Sequence, residues 1–203
     1  MYVTYLLLAS TIVISVIAMD NPTLKSRLML NPYAVIHHKK WYRCFTHAFV
    51  HADWLHLGFN MYVLYSFGEI LELQLIALYG LKGYYYMGLL YLSAILFSSL
   101  ISLYTNKDNP GYNSLGASGA VMAVLFAYIL IFPTSELGLL FLPIRVPAFI
   151  FGPIILIVEY ALSKRGGTGI AHDAHFAGAI YGILFMGVID YHFLLNFFNQ
   201  FVR

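Results

Sequence analysis

Apolar residues run through this chain in six stretches, separated by segments where polar, charged and turn-forming residues collect. Residues 1–19 carry no charged side chain and read as a first spanning helix. They lack the basic leading region of a secretory signal, and their apolar run is too long for one. Residues 20–52 read as a long loop rich in Pro, His and Lys. A second helix is expected over 53–74, polar at its start and ending near Glu69 and Glu72, and the cleanest span is 83–104. Asp108, Asn109, Pro110, Gly111 and Asn113 mark a turn-rich loop over 107–115. A fourth helix starts near Ser118 and must stop near Pro133. At about 1.5 Å per residue it covers little more than ~20 Å of a hydrocarbon core about 30 Å thick. A loop over 134–145, a fifth helix over 146–163 carrying Glu159, a Gly-rich loop over 164–173 and a sixth helix over 174–195 complete the pattern. The fold class expected is all-α: a polytopic bundle of six transmembrane helices forming one membrane domain over 1–203.

Composition points the same way. Of the 203 residues 61% are hydrophobic and only 10% charged, with 17% aromatic and a mean hydropathy of +0.76. A soluble domain carries about 25% charged residues. This chain cannot cover itself with polar surface, so its solvent is the lipid bilayer. Eleven Lys and Arg against nine Asp and Glu is too even a balance for a nucleic-acid partner. Cys44 is the only cysteine, which rules out an internal disulfide and a thiolate metal cluster.

Polar groups inside apolar spans are costly, so each is a candidate for function. His56 and Asn60 stand near the start of the second helix, Ser118 at the start of the fourth and His175 at the start of the sixth. In a serpentine bundle the even-numbered helices run in one direction, so one cavity on one side of the membrane can collect all four groups. His56 and Asn60 are i and i+4 and share a helix face. His175, Gly178 and Gly182 share another, and the two glycines form a small-xxx-small pattern for close helix approach. Gly119 and Ala123 offer the matching surface. Such packing would bring Ser118, a weak nucleophile by itself, within reach of an imidazole able to take its proton. The first N–H groups of the short fourth helix lack intrahelical partners and suit an oxyanion, with Gly116 and Gly119 permitting the tight turn around Ser118.

These residues resemble a known family. Gly116-Ala117-Ser118-Gly119 resembles the Gly-x-Ser-Gly motif of rhomboid intramembrane proteases, and Ala174-His175-Phe176-Ala177-Gly178 with Gly182 resembles their Ala-His-x-x-Gly-x-x-x-Gly helix. His51, His56 and Asn60 are similar to the family's second-helix pattern. Arg43, after Tyr42, falls where its first-loop Trp-Arg pair lies, and Glu72 matches an acidic residue closing the second helix. The resemblance runs from about Trp41 to Asp190. It implies a Ser118–His175 dyad without a third carboxylate, cutting transmembrane protein substrates through an acyl-enzyme with no cofactor and no metal. The oxyanion hole it implies uses the backbone N–H of Ser118, that of Ala117 as a further donor, and the side chains of His56 and Asn60. Arg43, His51 and Glu72 are expected to be structural. Two positions depart from the pattern: Met122, where some members place an aromatic against the catalytic histidine, and Tyr42, which replaces the Trp of the loop pair.

Other readings stand beside this one. Taken alone, Ser118 is a small residue at a helix crossing and His175 a satisfied core histidine; their common register favours catalysis. An inactive, client-binding member would also fit the fold. The pairs His47/His51 and His172/His175 have spacings compatible with metal ligation, with Asp173 as the one obvious carboxylate. For orientation, Lys25, Arg27, Lys39, Lys40, Arg43, Lys107, Lys164 and Arg165 lie on the side of the candidate site, against Lys82, Arg145 and Arg203 opposite. The positive-inside rule would put that site in the cytoplasm. The resemblance puts it on the outer side, folding the loop that holds five of those cations into the membrane interface. We follow the resemblance, expecting a bacterial-type inner membrane.

Overall fold

The computed structural model describes residues 2–138, 145–165 and 172–201, with side chains to residue 161 in the second stretch. Parts of the loops expected over 134–145 and 164–173 lie outside these residues, as do the side chains of Lys164 and Arg165 and the whole of Arg203.

Among the described residues six apolar helices build the bundle: α1 (Val3–Met19), α5 (Trp54–Tyr79), α6 (Lys82–Thr105), α7 (Ser118–Ile131), α8 (Ala148–Arg165) and α9 (His172–Ile189). Of these, α5, α6 and α9 are long and apolar enough to cross a membrane; α1, α7 and Ala148–Ala161 of α8 are shorter. Between α7 and α8 the chain makes a small antiparallel pair, β1 (Glu136–Gly138) with β2 (Arg145–Pro147), which the hydropathy pattern does not signal. The last expected helix is divided. It ends at Ile189, and α10 (His192–Asn199) restarts where the Asp190 carboxylate accepts the His192 N–H at 2.9 Å.

The centre of the bundle is α7. From Gly119 to Leu130 every residue except Met122 is buried, as expected of a helix apolar on all sides. It packs against α9, α5 and α6. The α7–α9 contact is backbone on backbone: a Cβ on Gly178 would collide with the Gly119 carbonyl oxygen, and one on Gly182 with that of Ala123. In lipid, where no hydrophobic effect drives helices together, such close approach supplies the packing energy.

Outside this centre α1 lies along α5, and Glu72 fixes it. The fully buried Glu72 carboxylate accepts the N–H groups of Val3 (2.6 Å) and Thr4 (2.8 Å) and the Thr4 hydroxyl (2.6 Å). A carboxylate on the orphan donors of a helix start satisfies both hydrogen bonding and the helix dipole. Glu72 therefore anchors the start of the first helix to the second span.

The segment read as a long loop over 20–52 folds into α2 (Pro22–Leu28), α3 (Pro32–His38), α4 (Arg43–Thr46) and a 3-10 turn (His47–Phe49). Two Asn-Pro pairs start the first two: Asn21 accepts from Leu24 N at 2.9 Å and Asn31 from Ala34 N at 2.7 Å, each with proline at the first helical position. Buried Arg43 donates to the carbonyls of Ser26 (3.0 Å) and Met29 (2.8 Å). Leu30 and Ser114 exchange backbone hydrogen bonds, and Asn31 Nδ2 donates to Pro110 and Tyr112 carbonyls at 3.0 Å. The first loop and the α6–α7 loop are thereby knitted into one cap over the bundle end where α5, α7 and α9 begin.

Candidate active site

Ser118 opens α7 from a turn held on three sides. Gly116 has φ +116°, a value suited to glycine, and a Cβ there would sit 2.9 Å from His56 Nε2. The Gly116 N–H donates to the His47 carbonyl at 2.9 Å and the Ala117 N–H to His51 Nε2 at 3.3 Å. Ala117 is the N-cap residue and makes no side-chain cap bond, so the first N–H groups of α7 keep neither an intrahelical nor a cap acceptor. They gather at the serine as donors with the positive end of the helix dipole behind them.

The Ser118 hydroxyl lies 2.6 Å from His175 Nε2. The short separation follows from the α7–α9 crossing, because His175 is one turn before Gly178 and Ser118 is next to Gly119. Behind the serine is a small polar cavity lined in part by His47, Ser98, Ser99, Ser102 and Ser114.

A carboxylate completes the other side of His175. Glu159 Oε2 from α8 lies 3.1 Å from His175 Nδ1 and 2.6 Å from His172 Nδ1. The expectation of a dyad with no third carboxylate is therefore not what the geometry presents. Nor is Asp173 the carboxylate beside these histidines: it accepts from the Ser102 hydroxyl at 3.0 Å. With Glu159 accepting from Nδ1–H, the neutral imidazole presents its lone pair at Nε2 toward Ser118.

On α5, Asp53 caps the helix start by accepting the His56 N–H at 2.8 Å. The His56 ring lies beside Gly116, and buried Asn60 donates one of its amide hydrogens to the His56 carbonyl at 2.9 Å. The His56 side chain thus flanks the start of α7, whereas the Asn60 amide is tied to its own helix. Ala117 requires a correction: its N–H is engaged by His51, so it is not free for an oxyanion. His51 is fully buried. Its Nε2 must accept from Ala117, so Nδ1 carries the proton toward Ser15 Oγ at 2.8 Å, and that hydroxyl donates to Phe49 O at 2.9 Å. Burial, with the neighbouring charges of His56 and Lys25, pushes His51 down to about 3. Burial likewise pushes His47 down to about 4, and its Nε2 is 2.9 Å from Ser99 Oγ. His47 and His51 are thus neutral struts of the turn before Ser118 and do not converge as ligands. Met122 is partly buried and packs on the apolar cluster around Phe126 and Ala179.

The structure brings together Ser118, His175, His56, Gly116, Gly119 and Gly178, sets Gly182 against Ala123 further along the crossing, ties Asn60 to the carbonyl of His56 on its own helix, and makes Arg43 and Glu72 ties elsewhere. Sequence reasoning had paired His172 with His175 by spacing but missed Glu159 as the neighbour of both. A carboxylate within an apolar span was a signal for it; nothing local to α8 said which helix it would face.

A family model described as the Rhomboid domain matches residues 38–192. Among curated relatives, human "Presenilin-associated rhomboid-like protein, mitochondrial" is 34% identical over 144 residues, 68% of this chain and 35% of that protein. "Rhomboid protein 1, mitochondrial" of Saccharomyces cerevisiae is 31% identical over 145 residues, 68% of this chain and 39% of its own length. "Rhomboid-like protein 11, chloroplastic" of Arabidopsis thaliana is 26% identical over 162 residues, 74% of this chain and 53% of that one. The chain thus matches roughly a third to a half of the length of these relatives. Their names place them in organelles, which lends no support to a bacterial inner membrane.

Proposed function

This chain belongs to the rhomboid family, and from that premise we propose that it is an intramembrane serine endopeptidase acting on transmembrane proteins. The observation that carries the proposal is the 2.6 Å approach of Ser118 Oγ to His175 Nε2. Ser118 Oγ attacks the scissile carbonyl carbon while His175 Nε2 takes the hydroxyl proton; the imidazolium then gives that proton to the leaving amine, and the acyl-enzyme remains. Water, deprotonated by the same nitrogen, hydrolyses the acyl group and restores the serine. The oxyanion formed in each step is met by the free N–H at the start of α7 and by side-chain donors of His56 and Asn60, in a site where such donors are preorganised. Glu159 acts through His175 as a positioning residue, holding the tautomer that keeps Nε2 free and stabilising the imidazolium.

Further support comes from the membrane setting. The short α7 packs against the longer α5, α6 and α9 and Ser118 at its start is half-buried, so a transmembrane segment would reach the serine from the side of the bundle. We assign residues 1–203 to one membrane domain. The test is labelling of detergent-purified protein with a fluorophosphonate, which phosphonylates only an activated serine. Wild type labels; Ser118→Ala and His175→Ala do not. Folded wild type that resists labelling would sink the proposal and leave an inactive rhomboid-like protein.

A further inference from the structure

We propose that Glu159, His172 and His175 form a site for a zinc-type divalent cation, and that filling it switches the catalytic base off. His172 and His175 are i and i+3 in the first turn of α9, so their rings share one face, and α8 sets Glu159 against both. One oxygen, Glu159 Oε2, is 2.6 Å from His172 Nδ1 and 3.1 Å from His175 Nδ1. One ligand atom from each of the three residues falls within 4.8 Å of the others, the one such His, Cys, Asp or Glu group among the described residues. Two imidazoles and a carboxylate are a set that zinc takes when it keeps a fourth position open. Bond lengths of about 2.0–2.2 Å at tetrahedral angles put ligand atoms roughly 3.3 Å apart, so a modest opening of the Glu159 side chain admits the ion. The three side chains are 5%, 17% and 14% exposed for His172, Glu159 and His175, shielded but not sealed from solvent.

The consequence for the base follows from imidazole chemistry. A neutral ring has one N–H and one lone pair. With no ion, Nδ1 carries the proton toward Glu159 and Nε2 offers its lone pair to Ser118 at 2.6 Å. For an ion to bind at Nδ1 the ring's single proton must leave that nitrogen and pass through solvent to Nε2, which exposes the lone pair on Nδ1 to the ion. Nε2 then donates, and it cannot accept the serine proton. Protein and ion together lose or gain no electron; only the tautomer changes. The inhibitory half of the proposal rests on the role assigned to His175 under the protease reading; the binding half does not.

The experiment uses the full chain, stripped with chelator in detergent, and reads binding apart from activity. Isothermal titration with Zn²⁺ should give one site per chain, present also in Ser118→Ala and weakened at least ten-fold by His172→Asn. Co²⁺ added to wild type should give the intense visible absorption of a tetrahedral nitrogen and oxygen set, a readout that needs no variant to fold. Saturating Zn²⁺ should lower fluorophosphonate labelling at least ten-fold, reversibly with chelator. Absence of a stoichiometric site, or zinc affinity unchanged in His172→Asn, overturns the site. Bound zinc with undiminished labelling overturns the switch. Stoichiometric zinc on a chain whose serine never labels would uphold the site while the protease reading falls.

Discussion

One methyl group at Gly178 tests whether the helix crossing makes the dyad. In Gly178→Ala the new Cβ would lie 2.8 Å from the Gly119 carbonyl carbon and 3.2 Å from its Cα, where ordinary contact begins near 3.4 Å. The obstacle is backbone on both sides, so no rotamer relieves it. Closing the gap from 2.8 to 3.4 Å requires α7 and α9 to part by at least about 0.6 Å at this level. Ser118 and His175 sit within one turn of that contact, and their 2.6 Å separation would open to 3.2 Å or more, the outer limit of a useful hydrogen bond. Misplacement on this scale lowers reaction rates by about 10²-fold, while overpacking destabilises by roughly 1–3 kcal/mol. The assay is the second-order rate of fluorophosphonate labelling, with thermal unfolding followed on the same sample. A folded Gly178→Ala protein should label about 100-fold more slowly than wild type. Labelling within about three-fold of wild type would refute the reasoning that backbone contact sets the dyad distance.

Three more outcomes follow from the same geometry. Glu159→Gln removes a charge 3.1 Å from His175 Nδ1, worth about 5 kcal/mol gross at an effective dielectric near 20. Sharing with His172 and partial exposure reduce this to an expected 10- to 100-fold loss in kcat with KM little changed, partly rescued by Glu159→Asp. An unchanged kcat would deny Glu159 its positioning role. His47 and His51, at about 4 and about 3, both lie below the ordinary 6.5, so the folded state binds fewer protons than the unfolded one below that pH. Their contribution is complete above pH 6.5 and is lost as pH falls toward 4 and 3, by about 1.4 kcal/mol per unit for each. Tm should drop between pH 7 and pH 5, and less steeply in His51→Gln; a flat profile contradicts the neutral-strut assignment. Glu72→Gln weakens three charge-assisted hydrogen bonds to the start of α1, lowering unfolding stability by about 2–3 kcal/mol. Amide exchange of α1 should rise first, and protection equal to wild type would count against the anchor.

Whatever depends on spacing along one segment was legible in the chain. Uninterrupted apolar runs require the bilayer and helices, since every backbone polar group must be satisfied within the segment. Periodicity set Gly178 and Gly182 on the face of His175, and the common direction of alternate spans put Ser118, His56 and His175 at one end. Even the helices within residues 20–52 had a local signal, two Asn-Pro starts, which a reading by composition passed over as loop.

What periodicity cannot carry is which faces meet. Glu159 was visible as a charge in an apolar helix, but only the rotation of α8 against α9 brings its oxygen to His172 and His175. Glu72 was visible too, yet its partner is the start of α1, nearly 70 residues away in sequence. Ala117 shows the same limit at atomic scale. Its place beside Ser118 follows from the order of residues, whereas the engagement of its N–H depends on where a loop residue, His51, comes to rest. Local sequence determines conformation because its interactions span a turn of helix; the chemistry of this site depends on contacts between segments, which exist only once the helices have packed.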